Sequence, residues 1–309
     1  MVDYITYQDT IIFSPSYNES INLDLLQTYN KIIFSNYELT DDLFLKYSNN
    51  DLNDLKYIGS KFNQLLELPK NLTHLTFGSK FNQSIVLPED LTHLTFGCCF
   101  NQPVKLPENL TEITFDWEFN QPIVLSEKIT HITFGFRFNQ PIVLPENLTM
   151  ITFGNDFNQL IVLPPNLTLI TFGWKFNQPV ELPPNISHLT FGYEFNQPIV
   201  LSEKITHLIF GYEFNQPIVL SEKITHLIFG KKFNKKVDFP FGIKYLKLEH
   251  DDSHNLDYLP EGIEVLELGN YFNSSLDNLP KSLLIIKLNC DYKGSLKCIH
   301  PNTKIEYKY

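Results

Sequence analysis

The chain has 309 residues, of which 35 are acidic and 24 basic, so its formal net charge at pH 7 is −11. A nucleic-acid-binding protein needs a stripe of clustered Lys and Arg side chains, and a membrane-spanning helix needs roughly 20 consecutive apolar residues. The sequence contains neither pattern, so we predict no nucleic-acid partner and no membrane association.

The first ten residues and the four cysteines indicate the cellular compartment of the protein. Met1–Thr10 has neither the basic start nor the apolar stretch of a secretory signal. Cys98 and Cys99 are adjacent, which is an awkward geometry for a disulfide, and Cys290 and Cys298 lie far along the chain. We therefore expect reduced thiols and a cytoplasmic location.

The N-terminal region already shows traces of a repeated pattern. Ile11–Ile21 fits, without gaps, the frame Leu-x-Phe-Gly-x-x-Phe-Asn-Gln-Pro-Ile that recurs later in the chain. Thr40–Lys46 predicts one short helix with Thr40 as its N-cap, because a threonine hydroxyl can accept a hydrogen bond from the first free N–H groups. Residues 52–57, Leu-x-x-Leu-x-Tyr, have the spacing of a strand entry.

The main feature of the chain is a Phe-Asn pair that returns every 19 residues, from Phe62-Asn63 to Phe233-Asn234. A fixed period of this size indicates a repeat protein in which each unit contacts only its neighbours. The asparagines of these pairs are Asn63, Asn82, Asn101, Asn120, Asn139, Asn158, Asn177, Asn196, Asn215 and Asn234.

One repeat unit, Leu91–Asn109, begins with Leu-x-x-Leu-x-Phe, the spacing with which a leucine-rich repeat enters its short strand. Leu94 and Phe96 alternate with polar side chains, so the two apolar groups point to the same side. Pro103 and Pro107 exclude a helix from the return segment, since neither is tolerated in a helix interior. We predict a β-rich solenoid, a right-handed leucine-rich-repeat-like superhelix with one long parallel sheet and little helix.

After the regular block, the strand pattern continues with looser spacing. It recurs at residues 243–248, 263–268 and 283–288, and no linker interrupts the series. We therefore predict a single repeat solenoid over residues 1–309. Its predicted parts are degenerate N-terminal rungs and a cap (1–51), regular 19-residue repeats (52–236), and irregular C-terminal rungs and a cap (237–309).

The asparagine of each Phe-Asn pair has a predicted structural role. It follows a core phenylalanine, where the chain turns and backbone groups would otherwise be buried unpaired. An amide side chain offers both donors and an acceptor to the neighbouring turns. We predict a structural asparagine ladder that joins adjacent rungs, rather than a ligand site.

A polar strand position holds histidine in most units. These residues are His74, His93, His131, His188, His207 and His226. On adjacent rungs they would lie about 5 Å apart, where they could bind a metal, gain charge in acid and attract acidic partners, or form a generic contact surface. Because Glu112, Met150 and Leu169 interrupt the column and no second ligand type lies alongside, we expect a contact surface and no metal.

The adjoining threonine column, from Thr76 to Thr190, raises ice binding as an alternative. Bulky histidines beside it and the apolar Ile209 and Ile228 that continue it break the uniformity that such a surface needs. The strand propensity of β-branched residues explains the column more simply.

The two consecutive residues that follow the strand-closing glycine position differ between units. The fold therefore does not require a particular side chain at these two positions. The aromatic members are Trp117, Phe136, Trp174, Tyr193 and Tyr212. Aromatic side chains on a rigid edge frequently anchor protein interfaces, although they can equally shield the strand ends. We predict partner binding at these aromatics and at the histidine column.

Enzymatic motifs are absent from the sequence. There is no glycine-rich phosphate loop, nucleophile elbow or clustered Cys/His spacing. The units Tyr193–Gly211 and Tyr212–Gly230 are identical. Copying a whole unit adds surface, whereas an active site needs unique residues that converge on one point. We predict no enzymatic activity and no cofactor.

Phe-Asn-Gln-Pro-Ile, as at Phe119–Ile123, with Leu-x-Phe-Gly before it and Leu-Pro after it, resembles the signature of the FNIP repeat family. The resemblance covers residues 52–290 best. It implies a leucine-rich-repeat-like fold and an origin in social amoebae or in the giant viruses that infect amoebae, and a viral protein would act in the host cytoplasm. Some family members carry an F-box before the repeats.

These patterns lead to a functional prediction. We predict a non-enzymatic scaffold that binds a protein partner of unknown identity through the strand face and the adjoining aromatic edge. The resemblance implies an alternative, the substrate-recognition subunit of a ubiquitin ligase of F-box/FNIP type. Because Ile11–Ile21 already fits the repeat, little chain remains before Leu52 for a helical bundle, so we favour the scaffold.

Overall fold

The computed structural model of the chain describes residues 3–40, 42–49, 51–249, 256 and 259–308. The chain forms two compact units, unit 1 (Met1–Phe157) and unit 2 (Asn158–Tyr309). Both consist mainly of short strands joined by longer segments, most of which contain no helix in the described residues.

Unit 1 begins with an antiparallel pair of strands and continues as a parallel series. Its elements are β1 (Tyr4–Tyr7), β2 (Thr10–Phe13), α1 (Leu23–Leu26), β3 (Lys31–Phe34), α2 (Leu43–Ser48), β4 (His74–Thr76), β5 (His93–Phe96), β6 (Glu112–Phe115), β7 (His131–Thr133) and β8 (Met150–Thr152). β1 pairs antiparallel with β2, and from β2 to β8 each strand pairs parallel with the next.

Unit 2 is a parallel series throughout its described strands. They are β9 (Leu169–Thr171), β10 (His188–Thr190), β11 (His207–Ile209), β12 (His226–Phe229), β13 (Tyr245–Leu248), β14 (Val265–Leu268), β15 (Ile285–Asn289) and β16 (Lys304–Lys308). Each pairs parallel with the next.

The 19-residue period fixes the strand register. Leu75 lies opposite Leu94 in unit 1, and Leu189 lies opposite Leu208 in unit 2, so equivalent side chains form columns. Because alternate strand residues face opposite sides, a slip of one residue would expose the whole apolar column. The predicted leucine-rich-repeat-like solenoid with parallel strands and little helix is confirmed.

The core consists of two adjacent columns of phenylalanine. Phe96 from β5 stacks on Phe100 of the same turn with ring centroids 3.7 Å apart, and Phe100 lies 6.1 Å from Phe81 of the preceding turn. The side chains of all three are at most 1% exposed. Burial of a phenylalanine contributes about 1.5–3 kcal/mol, and a well-placed ring pair adds about 0.5–1.5 kcal/mol. Each turn therefore derives its stability from the next.

The asparagines that follow these phenylalanines join successive turns. The Asn63 Oδ1 accepts a hydrogen bond from the Asn82 backbone N–H at 2.9 Å and from the Gln83 Nε2 at 3.2 Å. The same bonds recur in unit 2, where the Asn196 Oδ1 accepts from the Asn215 N–H at 2.8 Å. An amide oxygen thus replaces the backbone carbonyl at a turn that has no strand ladder.

Glycine closes the strand where adjacent turns approach most closely. A Cβ added at Gly97 would lie 2.3 Å from the Gly78 carbonyl oxygen. A side chain at this position would therefore push two turns apart, which explains the Phe-Gly pair found at the end of eight of the nine strands from β4 to β12.

The N-terminal turns differ from the sequence-based prediction in one respect. Ile11–Ile21 forms a rung as predicted, since β2 pairs with β3 and the Asn18 Oδ1 accepts from the Asn63 N–H at 2.9 Å. The strand predicted at residues 52–57 is wrong. Leu52 and Leu55 are only half-buried there, and Tyr57 makes an isolated antiparallel bridge with Tyr37.

The strand of this turn is β3, which lies earlier in the sequence. Phe34 at the end of β3 stacks on Phe62 with ring centroids 4.0 Å apart. The segment between Ser35 and Ser60, which contains α2, is therefore an insertion within one turn. The Asn36 Oδ1 ties it down by accepting from the backbone N–H groups of Ser60 and Ser79 at 2.9 and 2.8 Å.

The predicted helix is present but starts later than predicted. α2 has Asp42 as its N-cap, and the Thr40 hydroxyl donates to the Asp42 carboxylate at 2.8 Å instead of capping a backbone N–H. Asp41 lies outside the described residues. α1, β1 and β16 were not predicted, whereas β13, β14 and β15 lie where the C-terminal pattern placed them. The predicted part boundaries at residues 51 and 236 stay predictions.

A substitution in the asparagine ladder tests its contribution to stability. Asn196→Ala leaves the Asn215 N–H without its acceptor, and an unsatisfied buried donor costs about 1–3 kcal/mol. We expect the urea midpoint of the full chain to fall. Asn196→Asp retains the acceptor oxygen and serves as the control; an equal fall in both variants would contradict a hydrogen-bonding role.

Candidate interaction surface

The outward side of the strands carries the predicted histidine column. His74, His93 and His131 begin β4, β5 and β7 of unit 1, and His188, His207 and His226 begin β10, β11 and β12 of unit 2. Parallel register at a 19-residue period brings the rings onto one another. Ring centroids lie 4.2 Å apart for His74–His93, 4.3 Å for His188–His207 and 4.2 Å for His207–His226. Glu112 separates His93 from His131, and its Oε1 lies 3.5 Å from the His93 Nε2.

Each of these imidazoles is held at its Nδ1 atom by the preceding hydroxyl. The Thr206 hydroxyl donates to the Ser187 carbonyl at 3.2 Å, and the same oxygen lies 2.9 Å from the His207 Nδ1. A hydroxyl has one proton, so a hydroxyl that donates to the carbonyl accepts from Nδ1–H. This geometry predicts a neutral ring that carries its proton on Nδ1 and presents the Nε2 lone pair outward.

The arrangement is the same at the other five histidines. The Oγ–Nδ1 pairs are Thr73–His74, Thr92–His93, Thr130–His131, Ser187–His188 and Thr225–His226, at 2.8 to 2.9 Å. A ring that carries its proton on Nδ1 presents its Nε2 as a hydrogen-bond acceptor. At His93 the Nε2 instead lies 3.5 Å from the Glu112 carboxylate, which favours an N–H there.

Burial keeps two of these rings neutral near pH 7. It lowers the pKa of His74 to about 4, with the neighbouring His93 and Lys31 charges acting in the same direction and Asp9 opposing them. Burial also lowers the pKa of His207, with smaller contributions from His226 and His188. Protonation of these two rings therefore requires a lower pH than an exposed histidine would.

The threonine column lies beside the histidines. Among the described residues, the hydroxyls of Thr76, Thr95, Thr114 and Thr133 in unit 1 make no intramolecular hydrogen bond, and neither does that of Thr190 in unit 2. These groups can both donate and accept. Together the two columns offer a partner a regular set of polar contacts on a rigid sheet.

The predicted aromatic residues form two separate clusters, one in each unit. In unit 1, Trp117 stacks on Phe136 with ring centroids 4.3 Å apart. In unit 2, Trp174, Tyr193 and Tyr212 stack in series at 4.4 and 4.7 Å. Trp117 and Trp174 are 44% and 49% exposed. Because the ring faces cover one another, each cluster presents its ring edges as an apolar ridge on its own unit.

Backbone hydrogen bonds hold the ridge in place. The Arg137 N–H donates to the Trp117 carbonyl at 3.0 Å, and the Glu194 N–H donates to the Trp174 carbonyl at 2.9 Å. The Arg137 Nε also pairs with the Glu118 carboxylate at 3.0 Å. An aromatic ridge that is ordered before binding loses little conformational freedom when a partner is bound.

The asparagine ladder does not form part of the candidate interaction surface. Its amide oxygens accept from the next turn, as at Asn101, whose Oδ1 bonds the Asn120 N–H at 3.0 Å and the Gln121 Nε2 at 3.1 Å. In the described residues the Oδ1 accepts from the next turn at eight of the ten predicted ladder positions, namely Asn63, Asn82, Asn101, Asn120, Asn158, Asn177, Asn196 and Asn215.

Sequence reasoning missed a column of exposed valines on the return segments. Val124, Val143, Val200 and Val219 are 87% to 88% exposed. In the unit Leu91–Asn109 this outward position holds Lys105, so the apolar column is seen only when several units are aligned. The signal was present in Pro-Ile-Val-Leu, where an extended chain can turn only alternate side chains inward.

Two classes of site receive no support from the described residues. Nowhere in them do three or more His, Cys, Asp or Glu side chains come together in a way that could hold a metal ion. Within the same ranges, both helices are too short to cross a bilayer.

The fold and the repeated surface define a leucine-rich-repeat-like solenoid. The FNIP repeat model matches seven overlapping segments that span residues 62–221, a little over half of the chain. The chain therefore belongs to the FNIP repeat family. No curated protein gives a significant sequence match.

Two solved structures are similar to the chain. One is the giant-virus protein CroV588, described as a novel circular LRR protein, with 30% identity and a TM-score of 0.67. The alignment covers 99% of this chain, which spans 60% of the length of CroV588. The other is YopM from Yersinia enterocolitica, with 14% identity, a TM-score of 0.52, and coverage of 95% of this chain and 76% of YopM. The likeness to YopM shows the fold alone.

The hydroxyl that holds each imidazole gives a direct test of the Nε2 acceptor row. Nitrogen NMR of the native chain near pH 7 should show the His207 proton on Nδ1. Thr206→Val removes the hydroxyl and should raise the population of the Nε2–H form. Thr206→Ser is the matched control, because Ser187 already holds His188 in this way. A native His207 protonated on Nε2 would contradict the assignment.

The lowered pKa of His74 predicts a pH-dependent stability. Because the folded-state pKa, about 4, lies below the ordinary value of 6.5, the unfolded chain binds more protons between these values. Stability should therefore fall as pH is lowered through this window. His74→Gln should reduce that fall, measured as urea midpoints at several pH values. His300→Gln, at an exposed histidine outside the column, is the control. An unchanged pH dependence in His74→Gln would show that His74 does not cause it.

Proposed function

We propose that this chain is a non-enzymatic scaffold that binds a protein partner through the strand face and the adjoining aromatic ridge. The observation that carries the proposal is the pre-ordered stacking of Trp117 on Phe136 and of Trp174 on Tyr193, with both tryptophans partly exposed. Tryptophan and tyrosine are enriched among the residues that dominate binding energy in protein interfaces.

The strand face supplies the complementary polar part of the proposed surface. Its imidazoles and threonine hydroxyls lie one turn apart where the columns are uninterrupted, so they can set the register of a partner while the aromatic ridge supplies apolar contact. Polar groups around an apolar anchor are typical of protein interfaces. Repeat scaffolds of this kind are typically non-enzymatic, which supports the absence of catalysis.

A cytoplasmic location forms part of the proposal. Cys98, Cys99, Cys290 and Cys298 are all free thiols in the structure, which is the usual state of cysteine in a reducing compartment. Capture experiments with lysates of candidate host cells would identify the protein partner and the host.

The alternative role as a ubiquitin-ligase substrate receptor rests on the family resemblance. In the described residues before β4, α1 has four residues and α2 has six. Neither is the helical bundle with which an F-box binds its adaptor. The stacked aromatic side chains and the polar strand face support the scaffold proposal.

Removal of the aromatic ridge tests the proposal. A triple variant in which Ala replaces Trp117, Phe136 and Trp174 should capture a protein partner at least about tenfold less well. Interface hot spots each contribute about 2 kcal/mol or more to binding. The native chain and the variant would be immobilised, and proteins captured from a lysate of the source cells compared by quantitative mass spectrometry.

Two controls complete the capture experiment. Phe241→Ala removes an aromatic side chain that is 80% exposed but lies outside the ridge, and it should leave capture unchanged. Circular dichroism should show the same fold in all variants. Equal capture by the native chain and the triple variant would exclude the ridge as the binding site, whereas recovery of an F-box adaptor would favour the alternative.

A further inference from the structure

The exposed valine column consists of two four-residue stripes with related patterns. Stripe 1, in unit 1, is Val86, Lys105, Val124 and Val143. Stripe 2, in unit 2, is Val162, Glu181, Val200 and Val219. The six valines are 87% to 88% exposed. Ordered rows of exposed apolar side chains on a soluble protein mark surfaces for association.

The fold does not require valine at these places. Their side chains lie outside the core, and within the described ranges their backbone N–H and C=O groups form no intramolecular hydrogen bond. Lys105 and Glu181 occupy the same place in their own turns, so polar side chains are compatible with the backbone there. The valines therefore need an explanation other than folding.

The two charged members of the stripes lack partners of their own. Lys105 and Glu181 are both exposed, and neither makes an ion pair or side-chain hydrogen bond among the described residues. Lys105 lines a groove of about 850 Å³ with Pro103 and Pro122, and Glu181 lines a groove of about 620 Å³ with Pro198. Each stripe thus pairs an open groove with one charge in an otherwise apolar row.

We propose that stripe 1 of one copy of this chain packs against stripe 2 of a second copy, with Lys105 facing Glu181. The charges are opposite and occupy the same place in each row. If the stripes run in the same direction, Val86, Val124 and Val143 lie opposite Val162, Val200 and Val219. Contact between two copies of the same stripe would instead bring like charges together or set a charge against valine, both of which are unfavourable.

Spacing also favours a second copy over another partner. Successive turns repeat at the interstrand distance, about 4.7–4.9 Å. Only a surface with the same repeat can place a side chain against every turn, and the other stripe of this chain has that repeat. The grooves between adjacent turns can then receive valine side chains from the facing stripe.

A charge-swap experiment on the full chain tests the contact. Sedimentation velocity at neutral pH and low salt should show concentration-dependent self-association of the native chain. Lys105→Glu gives both stripes negative charge, and Glu181→Lys gives both positive charge. Each variant should associate about tenfold more weakly or worse, because like charges then face each other. An equimolar mixture of the two variants should associate again, since each stripe finds the opposite charge on the other variant.

Matched controls separate this contact from changes in net charge or fold. Lys80→Glu and Glu194→Lys make the same charge changes at exposed residues outside the stripes, and they should leave association unchanged. Val124→Ser should weaken association without altering the circular dichroism spectrum. A native chain that stays monomeric at all concentrations, a mixture that fails to recover association, or equal weakening by the controls would overturn the proposal.

Discussion

Turn-to-turn stacking of the Phe-Asn pair is the constraint on which each unit depends. The phenylalanine is fully buried in the core of its turn, and the asparagine oxygen accepts the N–H that the next turn brings to the same place. Both interactions work only if successive turns have the same length and register. The outward columns of histidine, threonine and aromatic side chains are therefore consequences of the core register.

Much of the fold could be predicted because two periodicities coincide. Alternation along Leu94 and Phe96 gives the strand, and the 19-residue repeat gives the pairing of each strand with the next. The strand predicted at residues 52–57 was wrong because the spacing of apolar residues alone does not tell which apolar segment reaches the core. Phe34 pairs with Phe62 across an insertion, and no local pattern encodes that contact.

The sequence predicted which residues belong to the candidate surface, but not how their side chains are hydrogen-bonded or stacked. Sequence columns identified His207 and Trp174 as outward-facing, and both lie there. That the Thr206 hydroxyl contacts the His207 Nδ1, or that Trp174 and Tyr193 cover each other's faces, depends on distances of a few ångströms. The valine stripes were not recognised in the sequence because Lys105 and Glu181 interrupt them and because the exposure of this position depends on how the return segments pack.

The one-way hydrogen bonding of the asparagines has an evolutionary consequence. A ladder asparagine accepts the backbone N–H of the turn after it and donates its own backbone N–H to the turn before it, as Asn82 does between Asn63 and Asn101. Insertion or deletion of a whole turn therefore leaves the balance of donors and acceptors unchanged. Unequal recombination between identical gene segments can lengthen or shorten such a protein in a single event, and each product inherits a complete set of internal bonds.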